Sequence, residues 1–193
     1  RRVLAHSLCL AFALYPFPAP AQIPCRDIRT FDFRNHTFLA KTHTGAPDYG
    51  LHNGPAPGGR LQLREGVFLQ WDLPLETYAP DWHTTIRHDL PLQASGIRLL
   101  VLEQDHLTGT GSFAYIFGFR CDAGSLQQIF EASGQGLKLE RLTTNGMDIS
   151  VAVWSNGDPH CCPRRKVHLT YLWSPSRKRF LRQSSNAPCP WLP

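Results

Sequence analysis

The stretch from Phe113 to Cys121 constrains the fold more than any other, because every odd position in it is aromatic or Cys. A period of two puts these side chains on one face of a β-strand, whereas a helix needs a period of about 3.6. The alternation of apolar residues returns twice, at Met147, Ile149, Val151 and Val153 and at Val167, Leu169, Tyr171 and Trp173. The sequence therefore predicts a series of antiparallel strands that share a core.

Other segments add to this pattern. Ile97 to Glu103 is almost continuously apolar, which is typical of a strand covered on both faces. Leu126 to Ala132 favours a strand over one short helix, and Asn145-Gly146 predicts a two-residue hairpin turn. Nearer the N-terminus we expect an edge strand around Thr30 to Leu39 and a short strand, inside an irregular stretch, at Trp82 to Asp89.

No long amphipathic helix can be found in the sequence after residue 21. We therefore predict a mainly β, single-domain antiparallel meander of about eight to ten strands, stabilised by disulfides. A barrel, a sandwich and a curved open sheet all fit this prediction. A Gly/Pro-rich loop is expected at residues 42–60, where no apolar periodicity survives.

The first 21 residues have the pattern of a secretory signal peptide. Arg1-Arg2 precedes a short apolar stretch, Val3 to Leu14, and Ala19-Pro20-Ala21 offers a small-residue cleavage site. The alternative is a buried N-terminal helix, but the apolar run is too short to span a bilayer and Pro16 would end a helix. We expect a mature domain at residues 22–193 that is secreted or periplasmic and, without a lipidation site, has no stable membrane anchor.

The charge of the chain is mildly basic, with 20 Lys and Arg against 15 Asp and Glu, a net +5. This permits attraction to anionic polymers of a cell envelope, but it is too weak to indicate nucleic-acid binding. The two densest basic clusters are Arg164-Arg165-Lys166 and Arg177-Lys178-Arg179. They flank one predicted strand, and we interpret them as solvated hairpin ends.

Five cysteines follow residue 21, and in an oxidising compartment we expect them to form disulfides; they are Cys25, Cys121, Cys161, Cys162 and Cys189. We favour a bond between Cys25 and Cys189, which would close nearly the whole domain. A second bond would join Cys121 to Cys161 or Cys162. An odd count leaves at least one thiol unpaired within the chain.

The segment His160-Cys161-Cys162 carries the most reactive side chains of the sequence. Imidazole and thiolate are ligands for Zn²⁺ or Cu(I), so a metal-binding or thiol-redox site is one hypothesis. Adjacent residues of an extended chain point to opposite sides, however, and we favour the interpretation in which one Cys forms a structural disulfide. On that interpretation we expect no cofactor.

A second group of candidates forms a predicted binding surface of aromatic and imidazole side chains, namely Trp82, His83, His88 and Trp154. The alternative is that these aromatic residues complete a second core layer. The sequence contains no nucleophile elbow of the Gly-x-Ser-x-Gly type, and the Gly109-Thr110-Gly111 segment precedes a strand rather than the helix that dinucleotide binding needs. No complete catalytic set can be assembled, which argues against an enzyme.

Four segments carry a resemblance to known proteins: Gly109 to Phe117, Cys161-Cys162-Pro163, Thr170 to Trp173 and Arg179-Phe180. In them the chain resembles exported bacterial domains of uncharacterised function. More loosely it is similar to the mycobacterial lipoproteins LppP/LprE, which also carry a Cys-Cys-Pro segment before a late strand. The resemblance covers residues 97–182, implies a bacterial envelope protein and transfers no catalytic residue.

These observations lead to one functional hypothesis and one alternative. The first is an exported, non-catalytic binding module for an envelope polymer, a small molecule or a partner protein. The alternative is a metal-binding or thiol-redox protein that uses His160, Cys161 and Cys162.

Overall fold

The fold is taken from a computed structural model, which describes residues 22–39, 60–70, 82–92, 95–106, 112–153 and 165–183. The first element of the described chain is a 3₁₀ turn, Ile28–Thr30, and the elements that follow are all β-strands. The strands are β1 (Thr37–Leu39), β2 (Arg60–Gln62), β3 (Val67–Gln70), β4 (Trp82–Leu92), β5 (Ile97–His106), β6 (Ser112–Asp122), β7 (Ser125–Gln135), β8 (Lys138–Leu142), β9 (Gly146–Val153), β10 (Arg165–Ser174) and β11 (Arg179–Arg182).

The strands form three antiparallel sheets. The largest has five strands in the order β3-β4-β5-β6-β7 and is curled like half a barrel. A four-stranded sheet has the order β11-β10-β9-β8, and β1 pairs with β2 in a small third sheet. From β3 to β11 each strand within a sheet pairs with its neighbour in sequence, which confirms the predicted mainly β antiparallel meander.

Two apolar cores lie on opposite faces of the five-stranded sheet. The first is shared with the four-stranded sheet and contains Leu99, Val101, Ile116, Met147, Ile149, Val167, Leu169, Tyr171 and Trp173. The second is shared with the N-terminal segment and contains Cys25, Ile28, Phe33, Phe38, Leu61, Leu63, Leu100, Leu102, Tyr115, Phe117 and Phe119. Strands β5 and β6 are therefore buried on both faces, as the apolar run of β5 predicted.

The chain passes from one sheet to the other between β7 and β8. Gly136 takes a φ of +64°, and a Cβ atom placed on it would lie 2.7 Å from the Cβ of Ala152 in β9. Glycine is therefore required here both by the backbone conformation and by the close approach of the two strands. Gly134 does not interrupt the strand, since β7 continues through it to Gln135.

The N-terminal segment differs from the predicted edge strand. Only Thr37–Leu39 pairs as a strand, and the region before it begins with the 3₁₀ turn. The Asp27 carboxylate accepts a hydrogen bond from the Arg29 backbone N–H, which caps this turn. The apolar residues of this region reach the core from an irregular backbone. Their spacing in the sequence resembles that of a strand, which is the reason that the prediction failed here.

The predicted length of one strand and the predicted position of one hairpin turn also need correction. Strand β4 runs for 11 residues from Trp82 to Leu92, well beyond the short strand expected there. Asn145-Gly146 does lie in a hairpin, but Gly146 is the first residue of β9 and its carbonyl accepts a hydrogen bond from the Thr143 N–H, so Gly146 belongs to the strand rather than to the turn. Gly146 is needed for another reason: a Cβ there would lie 2.3 Å from the backbone oxygen of Tyr171. Of the predicted loop at 42–60, only Arg60 is described, and it begins β2.

The disulfide pairing predicted from the sequence is wrong. Cys25 is bonded to Cys121, with their Cα atoms 5.4 Å apart and a sequence separation of 96 residues. Neither Cys25–Cys189 nor a bond from Cys121 to Cys161 or Cys162 can then form. The physical reason is strand pairing: the backbone N–H of Cys25 donates to Gly124 and the N–H of Leu126 donates to Ile23, which brings the N-terminal residues beside the β6–β7 turn.

Candidate functional site

A group of polar side chains interrupts the second core at one end of the five-stranded sheet. Along β5 the core-facing positions are Leu100 and Leu102, and the next one is Gln104, which is buried. Along β6 the core-facing series contains Tyr115, which is fully buried. We call Thr84, Gln104, Tyr115, Glu131 and Ser133 the polar cluster.

Tyr115 and Gln104 form the centre of the polar cluster. The Tyr115 hydroxyl donates a hydrogen bond of 3.1 Å to Gln104 Oε1, and both side chains are buried. Burial, and next the negative charge of Glu131, raise the pKa of the Tyr115 hydroxyl well above its usual value of 10. Tyr115 is therefore held as a neutral phenol that donates a hydrogen bond.

Strand β7 supplies two members from the opposite side. Ser133 pairs directly with Tyr115 and is buried, and Glu131 pairs with Phe117 and is half-buried. Residues that pair directly across an antiparallel sheet project from the same face. Both side chains therefore lie on the face of the second core, next to the Tyr115 ring.

Thr84 completes the polar cluster from strand β4. It pairs with Gln104, so it shares the same face, and its side chain is 0% exposed. Its Oγ1 atom is buried and finds no hydrogen-bond partner in the described part of the chain. Most buried polar groups in proteins have such a partner, so an exception needs an explanation.

Apolar side chains border the polar cluster. Phe68, which pairs with Thr84, Ile86, which pairs with Leu102, and Phe113 are all partly buried against the second core. The Phe113 and Tyr115 rings are 5.0 Å apart between centroids. The end of this sheet face thus combines a mainly apolar wall with a few hydrogen-bonding groups, an arrangement suited to holding an organic molecule.

Of the residues predicted to form a binding surface, the structure describes the side chains of His83 and His88, and neither belongs to this cluster. Trp82, His83 and His88 lie on β4, where the His83 side chain is half-buried and that of His88 is exposed. His83 neighbours Thr84 in sequence and so projects from the other face of the sheet. Trp154 lies outside the described residues.

The predicted metal or redox segment, His160-Cys161-Cys162, also lies outside the described residues, as does Cys189. Within the described ranges no group of three or more His, Cys, Asp or Glu side chains is placed to hold a metal ion. The Cys25–Cys121 bond bears on this segment indirectly, because it removes Cys121 as the structural partner of Cys161 or Cys162. The metal or redox hypothesis stays a prediction.

Sequence reasoning missed the polar cluster. The signal that could have found it is a break in parity, since Gln104 stands where the Leu100, Leu102 series calls for an apolar residue. Placing Ser133 and Glu131 in the cluster requires the register of β6 with β7, and a bulge beyond Gly118 shifts that register by one residue. Such a shift cannot be read from the periodicity of either strand alone.

Comparison of the chain with protein-family models, with curated proteins and with solved structures found no match. Within the described residues, no helix has the length and apolar character needed to cross a membrane.

Proposed function

We propose that this protein is a non-catalytic binding protein for a small organic molecule that is mainly apolar and carries one hydrogen-bonding group. The polar cluster holds the hydrogen-bonding group, and Phe68, Ile86 and Phe113 contact the apolar part. The observation that carries the proposal is the buried Thr84 hydroxyl, which lacks a partner in the described part of the chain.

The energetic argument starts from the cost of such a hydroxyl. Leaving a buried hydroxyl without a hydrogen bond costs about 1–3 kcal/mol. Valine has nearly the same shape as threonine and would avoid this cost. A bound molecule with a donor or acceptor group would supply the missing hydrogen bond, so the hydroxyl costs stability in the free protein and contributes affinity in the complex.

The state of Tyr115 supports binding rather than catalysis. Its raised pKa keeps the hydroxyl protonated at neutral pH, so it acts as a donor to Gln104 and cannot serve as a base. A fixed Tyr–Gln pair orients neighbouring polar groups without titrating. This is the property expected of a site that selects a ligand by its hydrogen bonds.

We further propose that the protein works outside the cytoplasm, secreted or in the periplasm of a bacterium. The Cys25–Cys121 disulfide supports this, because such bonds persist in oxidising compartments. The signal-peptide pattern of residues 1–21 supports it independently.

The test compares Thr84→Val with Thr85→Val, its neighbour on the opposite face of β4. The probe is decan-1-ol, and its binding is read by displacement of the fluorescent dye N-phenyl-1-naphthylamine. We expect Thr84→Val to bind decan-1-ol about five- to tenfold more weakly than the wild type, which corresponds to one lost hydrogen bond. It should also raise the free energy of unfolding in urea by about 1 kcal/mol, because the unpaired hydroxyl is gone.

Thr85→Val should leave decan-1-ol binding within about twofold of the wild type, since its side chain projects away from the polar cluster. The proposal fails if the wild type binds neither probe or if both variants weaken displacement equally. It also fails if Thr84→Val destabilises the protein, because the hydroxyl would then have a structural partner.

A further inference from the structure

The net charge of the described chain is concentrated in one sheet. The four-stranded sheet and its turns, residues 137–153 and 165–183, contain eight Lys and Arg but only two Asp and Glu. The remaining described residues contain eight of each kind. The excess of six positive charges therefore belongs to the four-stranded sheet alone.

The outward face of this sheet displays part of that charge. Met147, Ile149, Val167 and Leu169 face the first core, so the alternate residues of β9 and β10 face away from it. Ser150 of β9 is flanked by Lys138 of β8 on one side and His168 of β10 on the other. Lys138, Lys166 and His168 are all exposed.

The carboxylates near Lys138 and Lys166 already accept hydrogen bonds from other side chains. Asp148 accepts hydrogen bonds of 2.7 Å from Thr170 and 2.8 Å from Arg141, and these two bonds, the first more than the second, hold its pKa below the usual range. Glu140 accepts a hydrogen bond of 2.5 Å from Ser150. Neither carboxylate has an ion pair with Lys138 or Lys166 among the described residues.

The second group of cations lies at the other end of β10. Arg177, Lys178 and Arg179 are exposed in and beside the β10–β11 turn. Of these three, Lys178 donates to Asp122 at 3.0 Å, which ties the turn to the five-stranded sheet. Strand β10 has ten residues, so the two basic ends are about 30 Å apart.

We propose that the outward face of the four-stranded sheet is an interaction surface for an extended anionic polysaccharide. Cations at both ends of a strand about 30 Å long match a polymer with repeated negative charges better than a compact anion. The described outward side chains on β8–β11 include no Phe, Tyr or Trp, and His168 is a single small ring, so successive bases of single-stranded nucleic acid would lack a series of stacking partners. This surface is separate from the polar cluster, which lies on the other side of the five-stranded sheet.

The probe is heparin, a sulfated polysaccharide, and affinity is measured by calorimetry at about 50 mM and about 200 mM NaCl. The test variant Lys166→Gln/Arg179→Gln removes one charge from each end of β10. The matched control Arg26→Gln/Arg64→Gln removes two exposed charges elsewhere, at positions in the N-terminal segment and before β3. Circular dichroism confirms that both variants keep the wild-type fold.

We expect the wild type to bind heparin more weakly at the higher salt, because binding releases counterions. The test variant should lose at least about tenfold in affinity at the lower salt, and the control should stay within about twofold. A heparin disaccharide, too short to reach both ends of β10, should bind at least about tenfold more weakly than the polymer.

Three results would overturn the proposal. Equal losses in the two variants would mean that net charge, not this sheet, attracts the polymer. Equal affinity for disaccharide and polymer would mean that the site is compact. Sedimentation with phosphatidylglycerol vesicles in the absence of heparin binding would mean that the surface meets a lipid headgroup layer instead.

Discussion

At the scale of single residues, His36 stands out because an imidazole occupies the middle of an aromatic core. It is buried, and its ring makes edge-to-face contacts, with centroids 5.0–5.6 Å apart, with the rings of Phe31, Phe33, Phe38 and Phe119. Burial lowers the pKa of His36 from its usual 6.5 to about 4. The folded protein therefore holds this side chain neutral at any pH above about 5.

This pKa makes stability depend on pH in a defined window. Well above pH 6.5 the imidazole is neutral in both the folded and the unfolded chain and contributes no pH dependence. As the pH falls from 6.5 toward 4, the unfolded chain takes up a proton that the folded protein excludes, so stability is lost. We predict that the wild type is about 2 kcal/mol less stable at about pH 5 than at about pH 7.5 from this group.

His36→Phe is the variant that isolates the contribution, because phenylalanine fits an aromatic core and does not titrate. Urea unfolding of wild type and His36→Phe at both pH values gives the difference directly. From about pH 7.5 to about pH 5, the free energy of unfolding of the wild type should fall by about 2 kcal/mol more than that of the variant. Parallel losses in the two proteins would show that His36 is not the group responsible.

At the scale of elements, Arg98 of β5 holds the N-terminal segment against the sheet. Its Nη1 atom donates hydrogen bonds of 2.9, 3.2 and 2.8 Å to the backbone oxygens of Ile28, Arg29 and Phe31. The other side of its guanidinium pairs with the Asp89 carboxylate, and its Cζ lies 5.0 Å from the centre of the Phe33 ring. One side chain thus satisfies carbonyl groups of the 3₁₀ turn and of the chain that follows it.

We predict that Arg98→Met destabilises the protein by about 2–4 kcal/mol, because it leaves partly buried carbonyl groups and one carboxylate without their donor. Arg87→Met is the matched control. Arg87 also pairs with carboxylates, Glu103 and Asp105, but its side chain is 51% exposed against 17% for Arg98. An exposed pair contributes about 0–1 kcal/mol, so this variant should unfold close to the wild-type urea midpoint.

Hydrogen exchange shows whether the loss of Arg98 destabilises the N-terminal segment locally or the whole protein. If the role is local, Arg98→Met should increase exchange first at the amides of residues 27–36, while β5 and β6 stay protected. Uniform loss of protection across β5, β6 and the N-terminal segment would contradict a local role. Equal destabilisation by Arg87→Met would contradict the difference in burial on which the prediction depends.

At the scale of the whole molecule, the two large sheets meet where β7 leads into β8. Gly136 and Gly96 both have a left-handed backbone, with φ of +64° and +60°, but only Gly136 has a neighbour where a Cβ would fall. We predict that Gly96→Ala costs about 1 kcal/mol, the strain of the backbone conformation. Gly136→Ala should cost about 1–3 kcal/mol more, because the added methyl group meets Ala152 and pushes the sheets apart.

Thermal unfolding of the two variants measures this difference. Equal losses would mean that the junction between the sheets adjusts freely to an added methyl group. The double variant Gly136→Ala/Ala152→Gly provides a further check, since removing the Ala152 methyl group should restore part of the loss at position 136.

The sequence predicted this molecule well wherever one periodicity decided the structure. The odd positions of Phe113–Cys121 do face one core, and the apolar run beginning at Ile97 is buried on both sides. Prediction failed where pairing between distant segments decided the outcome. Cys25 meets Cys121 only because residues 23–25 lie beside the β6–β7 turn, and Thr84 meets Gln104 only through the register of β4 with β5.

The Cys25–Cys121 bond joins two consecutive cysteines, since no other cysteine lies between them in the sequence. In a chain that crosses a membrane N-terminus first, Cys121 is the first thiol to reach the far side after Cys25. An oxidase that links cysteines in order of arrival then makes the native bond before Cys161, Cys162 and Cys189 have emerged. If the chain is exported, as proposed above, this bond therefore needs no isomerase to correct a wrong partner, because the order in which the cysteines emerge selects the right one.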